Sequence, residues 1–151
     1  MRLLALDLAT KTGWAHSNGA SGVQDFSPRR GDSPGMRWIN FRSWLLRLIE
    51  AAPVDLIVYE QAAYHRSLAA NHVAHGLIAA VESVATECNI ELTSRSPTAI
   101  KKYALPNIKK RNKTRMVMAA ENKWPDVSIL SDDQADALWL LDLVLSELGG
   151  K

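Results

Sequence analysis

The chain has 151 residues, 47% of them hydrophobic and 23% charged, with a net charge of +2, as expected for one globular domain over residues 1–151. Its single cysteine, Cys88, excludes an internal disulfide and a cysteine-based zinc site, and it fits a reducing cytosol. The first apolar run is short and is interrupted by Asp7, so we expect neither a signal sequence nor a membrane span.

The first third of the chain predicts three strands followed by a helix. The strands, recognised as short apolar runs between turns, are 2–8, 13–18 and a third near 22–26. A loop rich in serine, proline, glycine and charge covers 27–35. Ser33 followed by Pro34 predicts an N-cap and a first helical residue, for a helix that runs to about Ala51.

The remainder predicts alternating strands and helices. The elements are a strand over 54–59 that ends at Glu60, a helix over 68–88, a strand over 90–94, and helices capped by Ser96, Asn112 and Ser131. Ser131 with Gln134 predicts a capping box at the start of the last helix. The order β-β-β-α-β-α-β-α-α-α predicts an α/β fold with three layers: a five-stranded mixed sheet flanked by helices. Sites in such sheets lie outside the strand ends.

The charges are segregated along the chain. Between Arg95 and Arg115 there are eight basic residues and no acid, whereas the segment from Glu121 to Lys151 has seven acids and two bases. A basic segment suits a polyanion, and an acidic cluster beside it suits divalent cations. The alternative for the basic segment is an ordinary solvated surface.

Carboxylates occupy unexpected positions on three predicted elements. Asp7 lies inside an apolar strand, and Glu60 closes another strand that would run beside the first. Asp133 and Asp136 share a face at the start of the last helix, next to Asp132. An unpaired buried carboxylate costs several kcal/mol, roughly, so something must compensate for it. Oxygen ligands in this arrangement suit Mg²⁺ or Mn²⁺.

Each acid also has a simpler interpretation. Acids in the first turn of a helix are favoured by the helix dipole, which would account for Asp132 and for Asp133. Asp7 would then be a strand-end residue that caps the following turn. The dipole accounts poorly for Asp136, which lies deeper in the apolar run of the helix.

The motifs resemble those of a known family. DLATKTGW follows the first strand from Asp7, IVYEQ ends the predicted fourth strand at Glu60, and NKTRM precedes DDQADAL near the end of the chain. In content and order they are similar to the motifs of the RuvC class of Holliday-junction resolvases, in the ribonuclease H-like superfamily. The chain departs from the family pattern at Ala9, where glycine is frequent.

The resemblance implies a metal-dependent endonuclease that resolves four-way DNA junctions by paired nicks. It implies that Asp7, Glu60, Asp133 and Asp136 bind two Mg²⁺ ions per subunit, with Mn²⁺ as a substitute, and that Lys113 is a catalytic residue that holds the scissile strand. It further implies a homodimer and a cytoplasmic location, in a bacterial cell or a phage-infected host.

We expect DNA contacts from two segments. Proteins of the family that the chain resembles often have an aromatic residue shortly after the Glu-Gln pair, which unstacks a base at the crossover. Ala63 occupies the closest position in this chain, so Tyr64, the next residue, is the candidate for this role. His65 and Arg66 follow in the same loop. In the basic segment, the expected contacts to the DNA backbone are Lys101, Lys102, Lys109, Lys110, Arg111, Lys113 and Arg115.

Two other functions are consistent with parts of the sequence. Nucleotide phosphotransferases of the actin and sugar-kinase type also begin with a strand, an aspartate and a Thr-Gly turn, but they need a glycine-rich phosphate loop and a second domain. A branched-DNA-binding module without catalytic activity would also use the basic segment.

Overall fold

The structure is a computed structural model, which describes residues 1–63 and 67–149. The strands are β1 (Leu3–Asp7), β2 (Lys11–His16), β3 (Ser21–Asp25), β4 (Leu56–Glu60) and β5 (Glu91–Arg95). The helices are α1 (Met36–Ala51), α2 (Leu68–Glu87), α3 (Pro97–Ala104), α4 (Lys113–Lys123) and α5 (Asp132–Gly149). The predicted order of elements is confirmed, with boundaries that shift by one to three residues.

The five strands form one mixed sheet in the order β3-β2-β1-β4-β5. Strand β1 is antiparallel to β2 and parallel to β4, while β3 and β5 extend the antiparallel and parallel halves. The predicted α/β fold with a five-stranded mixed sheet is therefore confirmed. No helix of the described residues has the length and apolar character needed to cross a bilayer.

Alternation along β1 divides the core into two layers. Leu3 and Ala5 pack with α3, α4 and α5 on one face, whereas Leu4 and Leu6 pack with α1 and α2 on the other. Successive side chains of a strand point to opposite faces, so this central strand is buried on both sides. Helices therefore cover both faces of the sheet, as predicted.

The predicted start of α1 at Ser33 and Pro34 is wrong. The helix begins at Met36, and the Met36 amide instead donates to the Ser33 carbonyl oxygen at 3.1 Å in a preceding turn. The turn satisfies this amide before the helix begins, so the Ser-Pro pair belongs to the loop. Gly35 is the N-cap and makes no side-chain cap.

The α3–α4 layer is fixed to α5 by polar contacts. The Tyr103 hydroxyl donates to Asp142 at 2.7 Å, and the Lys123 ammonium contacts the same carboxylate at 2.5 Å. The Trp139 indole donates to the Met116 carbonyl oxygen at 3.1 Å inside the core. These contacts hold the basic segment against the helix that carries the acids.

Candidate metal centre

Asp7 and Glu60 end adjacent parallel strands on the same face of the sheet. The register pairs Leu6 with Tyr59, so the next residues along both strands are Asp7 and Glu60. Asp7 lies two residues after Ala5, so its side chain points to the same face of the sheet as those of Leu3 and Ala5. Glu60 likewise points to the same face as the β4 residues that belong to this layer. Both carboxylates therefore belong to the face covered by α5.

Gly13 allows the start of α5 to lie directly on β2. In the antiparallel pair Gly13 lies opposite Asp7. A Cβ atom at Gly13 would lie 1.8 Å from the Asp133 carbonyl oxygen and 2.9 Å from the Gln134 amide nitrogen. No side chain fits at this position, so only glycine allows the helix to come close enough for its acids to reach Asp7. In the sequence, Gly13 stands out only as part of the motif DLATKTGW.

The first turn of α5 is anchored by Gln134. The backbone amide of Gln134 donates to the Ser131 hydroxyl at 3.2 Å, which confirms the predicted serine cap. The Gln134 side chain departs from the predicted capping box, because it accepts from the Leu130 amide at 2.8 Å and donates to Ser21 at 3.1 Å. This buried glutamine ties α5 to β3 and so sets the direction in which Asp133 and Asp136 enter the site.

The carboxylates of Asp7, Glu60 and Asp136 converge. One oxygen from each lies within 4.8 Å of the others, so the group can hold a metal ion. Asp133 joins the group through a side-chain hydrogen bond with Asp7, and its charge acts on Asp7 as well. Carboxylate oxygens are the ligands that hard divalent cations such as Mg²⁺ and Mn²⁺ prefer. That these four residues are the metal ligands stays a prediction.

Burial and mutual repulsion make the cluster costly to ionise. The Asp7 side chain is buried, and desolvation together with Glu60 and Asp136 raises its pKa well above the usual value. Desolvation, then Glu60 and the neighbouring aspartates, raise the pKa of Asp136 to about 7. Burial and Asp132 also raise the pKa of Asp133. Either protons or a cation must therefore neutralise part of this charge.

Asp132 differs from the other acids. Its carboxylate pairs with the Lys113 ammonium at 3.3 Å, and the two side chains are 33% and 83% exposed. Asp132 is the first cause of the raised pKa of Lys113, through a hydrogen bond and then through its charge. The helix-dipole interpretation suffices for Asp132 and does not explain the convergence of Asp136 with β1 and β4.

The carboxylates line an open cavity of about 430 Å³, called here the acid cavity. Lys101 of α3 and Lys113 of α4 also line it, so two cations lie beside the acids. The other residues of its wall are Ala9, Ala63, Ala70, Pro97, Met116 and Asp132. An open cavity with acids on its floor and ammonium groups on its wall suits a metal ion together with a phosphate group.

The rest of the predicted basic segment divides into two groups. Lys102, Lys109 and Lys110 are exposed. The two arginines brace the loop before α4: Arg111 donates to the Leu105 carbonyl oxygen at 2.7 Å, and Arg115 to that of Lys110 at 2.7 Å. These arginines therefore have a structural contact in addition to any contact with DNA. Tyr64, His65 and Arg66 lie outside the described residues, so their predicted roles stay predictions.

No protein-family model matches the sequence, and the search of curated proteins found no match. Solved structures do match. Thermus thermophilus RuvC in complex with a Holliday junction substrate has a TM-score of 0.80 at 14% identity, over 99% of this chain and 96% of RuvC. The chain has the fold of RuvC. The predicted ribonuclease H-like fold and the resemblance to RuvC are thereby confirmed at the level of the fold.

Other resolvases have similar structures. The yeast mitochondrial Holliday junction resolvase matches with a TM-score of 0.64 at 16% identity, over 92% of this chain and 75% of that protein. The fowlpox virus resolvase in complex with Holliday junction DNA matches with a TM-score of 0.63 at 14% identity, over 98% and 99%. At such low identities the RuvC likeness describes the fold, and the chemistry has to be argued from the site itself.

Replacing Gly13 by alanine tests how the site is assembled. We expect Gly13→Ala to lower the free energy of unfolding by at least about 2 kcal/mol, because the new Cβ would overlap the Asp133 backbone. Mg²⁺ should then raise the melting temperature less than it does in the unmodified chain. Thermal unfolding with and without Mg²⁺ measures both effects.

Gly35→Ala is the matched control. Nothing lies within 4 Å of a Cβ atom at Gly35, whose φ of −72° suits alanine. We expect no loss of stability there, because alanine reduces the freedom of the unfolded chain. Equal, small effects of the two substitutions would contradict the close approach of α5 to β2.

The raised pKa values predict an unusual pH dependence of stability. Asp136 has a pKa of 3.8 when unfolded and about 7 when folded, so the folded state binds more protons between these values. The metal-free protein should lose this contribution to stability as the pH rises from about 4 to about 7. Unfolding free energies at several pH values, with EDTA present, measure the loss.

Mg²⁺ and the variant Asp136→Asn should each reduce this loss. The cation neutralises the repulsion, and asparagine removes one of the charges, which should raise the melting temperature of the metal-free protein at pH 8. The prediction would be contradicted if the free energy of unfolding of the unmodified chain rose steadily over this pH range and Asp136→Asn behaved in the same way. The acids would then not repel one another.

Proposed function

We propose that this chain is a single-domain, metal-dependent endonuclease that resolves four-way DNA junctions. The observation that carries the proposal is the convergence of the Asp7, Glu60 and Asp136 oxygens within 4.8 Å, in the fold of a resolvase. The RuvC and fowlpox virus structures that share this fold contain Holliday junction DNA. Lys101 and Lys113 beside the acids provide the positive charge that a phosphodiester needs.

The residues present fit a pair of Mg²⁺ ions. Within the part of the chain that the structure describes, all the converging side chains are carboxylates and neither histidine nor cysteine joins them, which favours a hard cation over zinc. The raised pKa values of Asp7, Asp133 and Asp136 indicate an excess of negative charge that cations would neutralise. Asp7 is central, since it lies next to each of the other three, and its carboxylate would be the principal one to hold the ions.

The roles of the side chains follow from this arrangement. Asp7, Glu60, Asp133 and Asp136 would hold the ions, which when bound supply an activated water and stabilise the leaving oxygen of the phosphodiester. Lys113 and Lys101 would bind the phosphate oxygens and orient the scissile strand across the acid cavity. Asp132 would hold the Lys113 ammonium near the carboxylates before DNA binds.

Paired nicks require two such sites, and we propose that a homodimer supplies them. Each subunit would cut one of two symmetric strands of the junction. Light scattering of the purified protein measures the mass directly. If the protein is a monomer at concentrations at which it makes paired nicks in junctions, the proposed dimer is wrong. The proposed chemistry of a single site would not be affected by that result.

The principal test of catalysis is Asp7→Asn with a labelled four-way junction. We expect nicking in Mg²⁺ to fall by at least about 100-fold, because the central carboxylate of the cluster is lost, while binding to the junction persists. The matched control is Asp126→Asn, which removes an exposed acid away from the cluster and should cut normally.

The same experiment separates the alternatives. Binding without Mg²⁺-dependent nicking by the unmodified chain would identify a non-catalytic branched-DNA-binding module. Specific binding of a nucleoside triphosphate without DNA cleavage would favour a phosphotransferase. Full activity of Asp7→Asn would contradict the mechanism. A panel of junctions, flaps, forks and linear duplexes would define which branch structure is preferred.

The salt dependence of binding tests the basic segment. We expect the affinity for a four-way junction to fall steeply with salt, because bound lysines release counterions from the phosphates. Lys109→Gln combined with Lys110→Gln should reduce the slope of log K against log salt by about two, one for each lost phosphate contact. Filter binding or fluorescence anisotropy in EDTA provides the measurement.

Arg30→Gln combined with Arg47→Gln is the control of equal charge. Both arginines are exposed and lie outside the basic segment, so the pair should leave the slope nearly unchanged. An equal change of slope in the two double variants would mean that net charge alone governs binding. A slope that the lysine substitutions do not change would remove the basic segment from the interface.

A further inference from the structure

A second cavity, of about 540 Å³, opens beside the acid cavity and is called here the basic cavity. The two cavities share three wall residues, Ala9, Ala70 and Asp133, so they are neighbours. The basic cavity is lined in addition by Lys11, Arg37 and His72. None of these three belongs to the basic segment of residues 95–115.

The cations of the two cavities come from opposite layers of the fold. Lys101 and Lys113 belong to α3 and α4, which pack with α5 on one face of the sheet. Arg37 and His72 belong to α1 and α2, which pack on the other face. Lys11 begins β2, directly after the turn that follows Asp7. The carboxylates therefore lie between two groups of basic side chains.

Arg37 is held in place before any ligand binds. Its Nε donates to the Phe26 carbonyl oxygen at 3.3 Å, and its guanidinium carbon lies 5.8 Å from the Trp38 ring centroid. Trp38 packs so closely on α2 that a Cβ atom at Gly76 would lie 2.5 Å from its ring. The His72 ring meets the same indole edge-on, with centroids 5.7 Å apart. Packing between α1 and α2 therefore presents Arg37 and His72 together.

Among residues 1–63 and 67–149, neither permanent cation of the basic cavity forms an ion pair, although Lys11 lies opposite Asp25 in the β2–β3 pairing and attracts its carboxylate. Five ion pairs form among residues 1–63 and 67–149, and none includes Lys11 or Arg37. The carboxylate in the cavity wall is Asp133, which the proposed function commits to the metal ions. Lys11 and Arg37 are thus available to an external anion, and Arg37 keeps further N–H donors for it.

We propose that the basic cavity binds the DNA phosphate adjacent to the scissile phosphate, through Lys11 and Arg37, with His72 at its rim. The inference rests on the proposed nuclease function and extends it to the path of the strand. Ala9 and Ala70 form the boundary between the cavities, and their small side chains leave room for a sugar–phosphate backbone to pass. The strand would cross from Lys101 and Lys113, over the carboxylates, to Arg37.

Contacts on both sides would fix the scissile phosphate over the metal centre. A flexible single strand held on one side alone can pivot, whereas two flanking contacts restrict it to a reactive position. Lys11 and Arg37 are therefore positioning residues. Their loss should weaken DNA binding and slow cleavage while the protein still binds Mg²⁺, since Lys11 acts on Asp133 only through its charge.

The test measures binding of a four-way junction in EDTA by Lys11→Gln combined with Arg37→Gln. We expect an affinity at least about tenfold lower and a salt slope lower by about two, one for each lost phosphate contact. Arg47→Gln, on the same helix as Arg37 but away from the cavity, should bind like the unmodified chain. Arg37→Lys keeps the charge and should retain the slope.

A neutral methylphosphonate, placed at one position of the strand at a time, identifies the phosphate. At the position next to the cut, it should weaken binding by the unmodified chain but have little further effect on the double variant. At distant positions both proteins should respond equally. Equal responses at every position would overturn the proposal.

The outcomes separate this inference from the proposed function. If the unmodified chain neither binds nor nicks junctions, the proposed function fails. If it does both and the double variant matches Arg47→Gln, the proposed function stands and the basic cavity has no role. Thermal unfolding with and without Mg²⁺ verifies that the double variant is folded and has an intact metal centre. If Mg²⁺ no longer raised its melting temperature, these residues would act on the metal centre. That result would overturn their assignment to the DNA strand.

Discussion

The start of helix α5 lies against strand β2 with no side chain between them, and the arrangement of the acids depends on this contact. At Gly13 the Asp133 backbone occupies the space that any Cβ atom would need. The contact brings an acidic helix N-terminus to the strand end that carries Asp7. The apolar side of α5, including Leu140 and Val144, is buried against the sheet. Each such side chain contributes about 1.5–3 kcal/mol, which offsets the cost of gathering the carboxylates.

The fold thus holds a cluster of charges that it does not itself neutralise. Burial and then the charges of the neighbouring carboxylates raise the pKa values of Asp7 and Asp136, while Lys113 is already paired with Asp132. The positive end of the α5 dipole provides a partial compensation near Asp133. A cluster poised in this way has more to gain from a divalent cation than a dispersed set of surface acids, because binding relieves repulsion already present in the folded state.

The similarity to RuvC at 14% identity reflects what specifies such a fold. Leu3 to Leu6 need only be apolar and of suitable size, because both faces of β1 are covered by helices. Many sequences meet this requirement, so the architecture persists when few residues are shared. The carboxylates have a stricter requirement, since their oxygens must converge. This is why the proposed function rests on the site and not on the likeness alone.

Local sequence patterns are sufficient to predict the order of elements, the caps at Ser96 and Asn112, and the strand ends that carry Asp7 and Glu60. These features depend on local periodicity and on residues within a turn of one another, which a single sequence displays. The same patterns also placed the start of α1 too early, at Ser33, because a serine–proline pair favours a turn as well as a helix start.

Three features become visible in three dimensions alone: the close approach of α5 to Gly13, the contact of Gln134 with β3, and the position of Arg37 near Asp133. Each of these contacts joins residues far apart in the chain. Their positions depend on how helices pack on the two faces of the sheet, and no local pattern encodes that packing. The acids could therefore be recognised from the sequence, whereas the space and the charges around them could not.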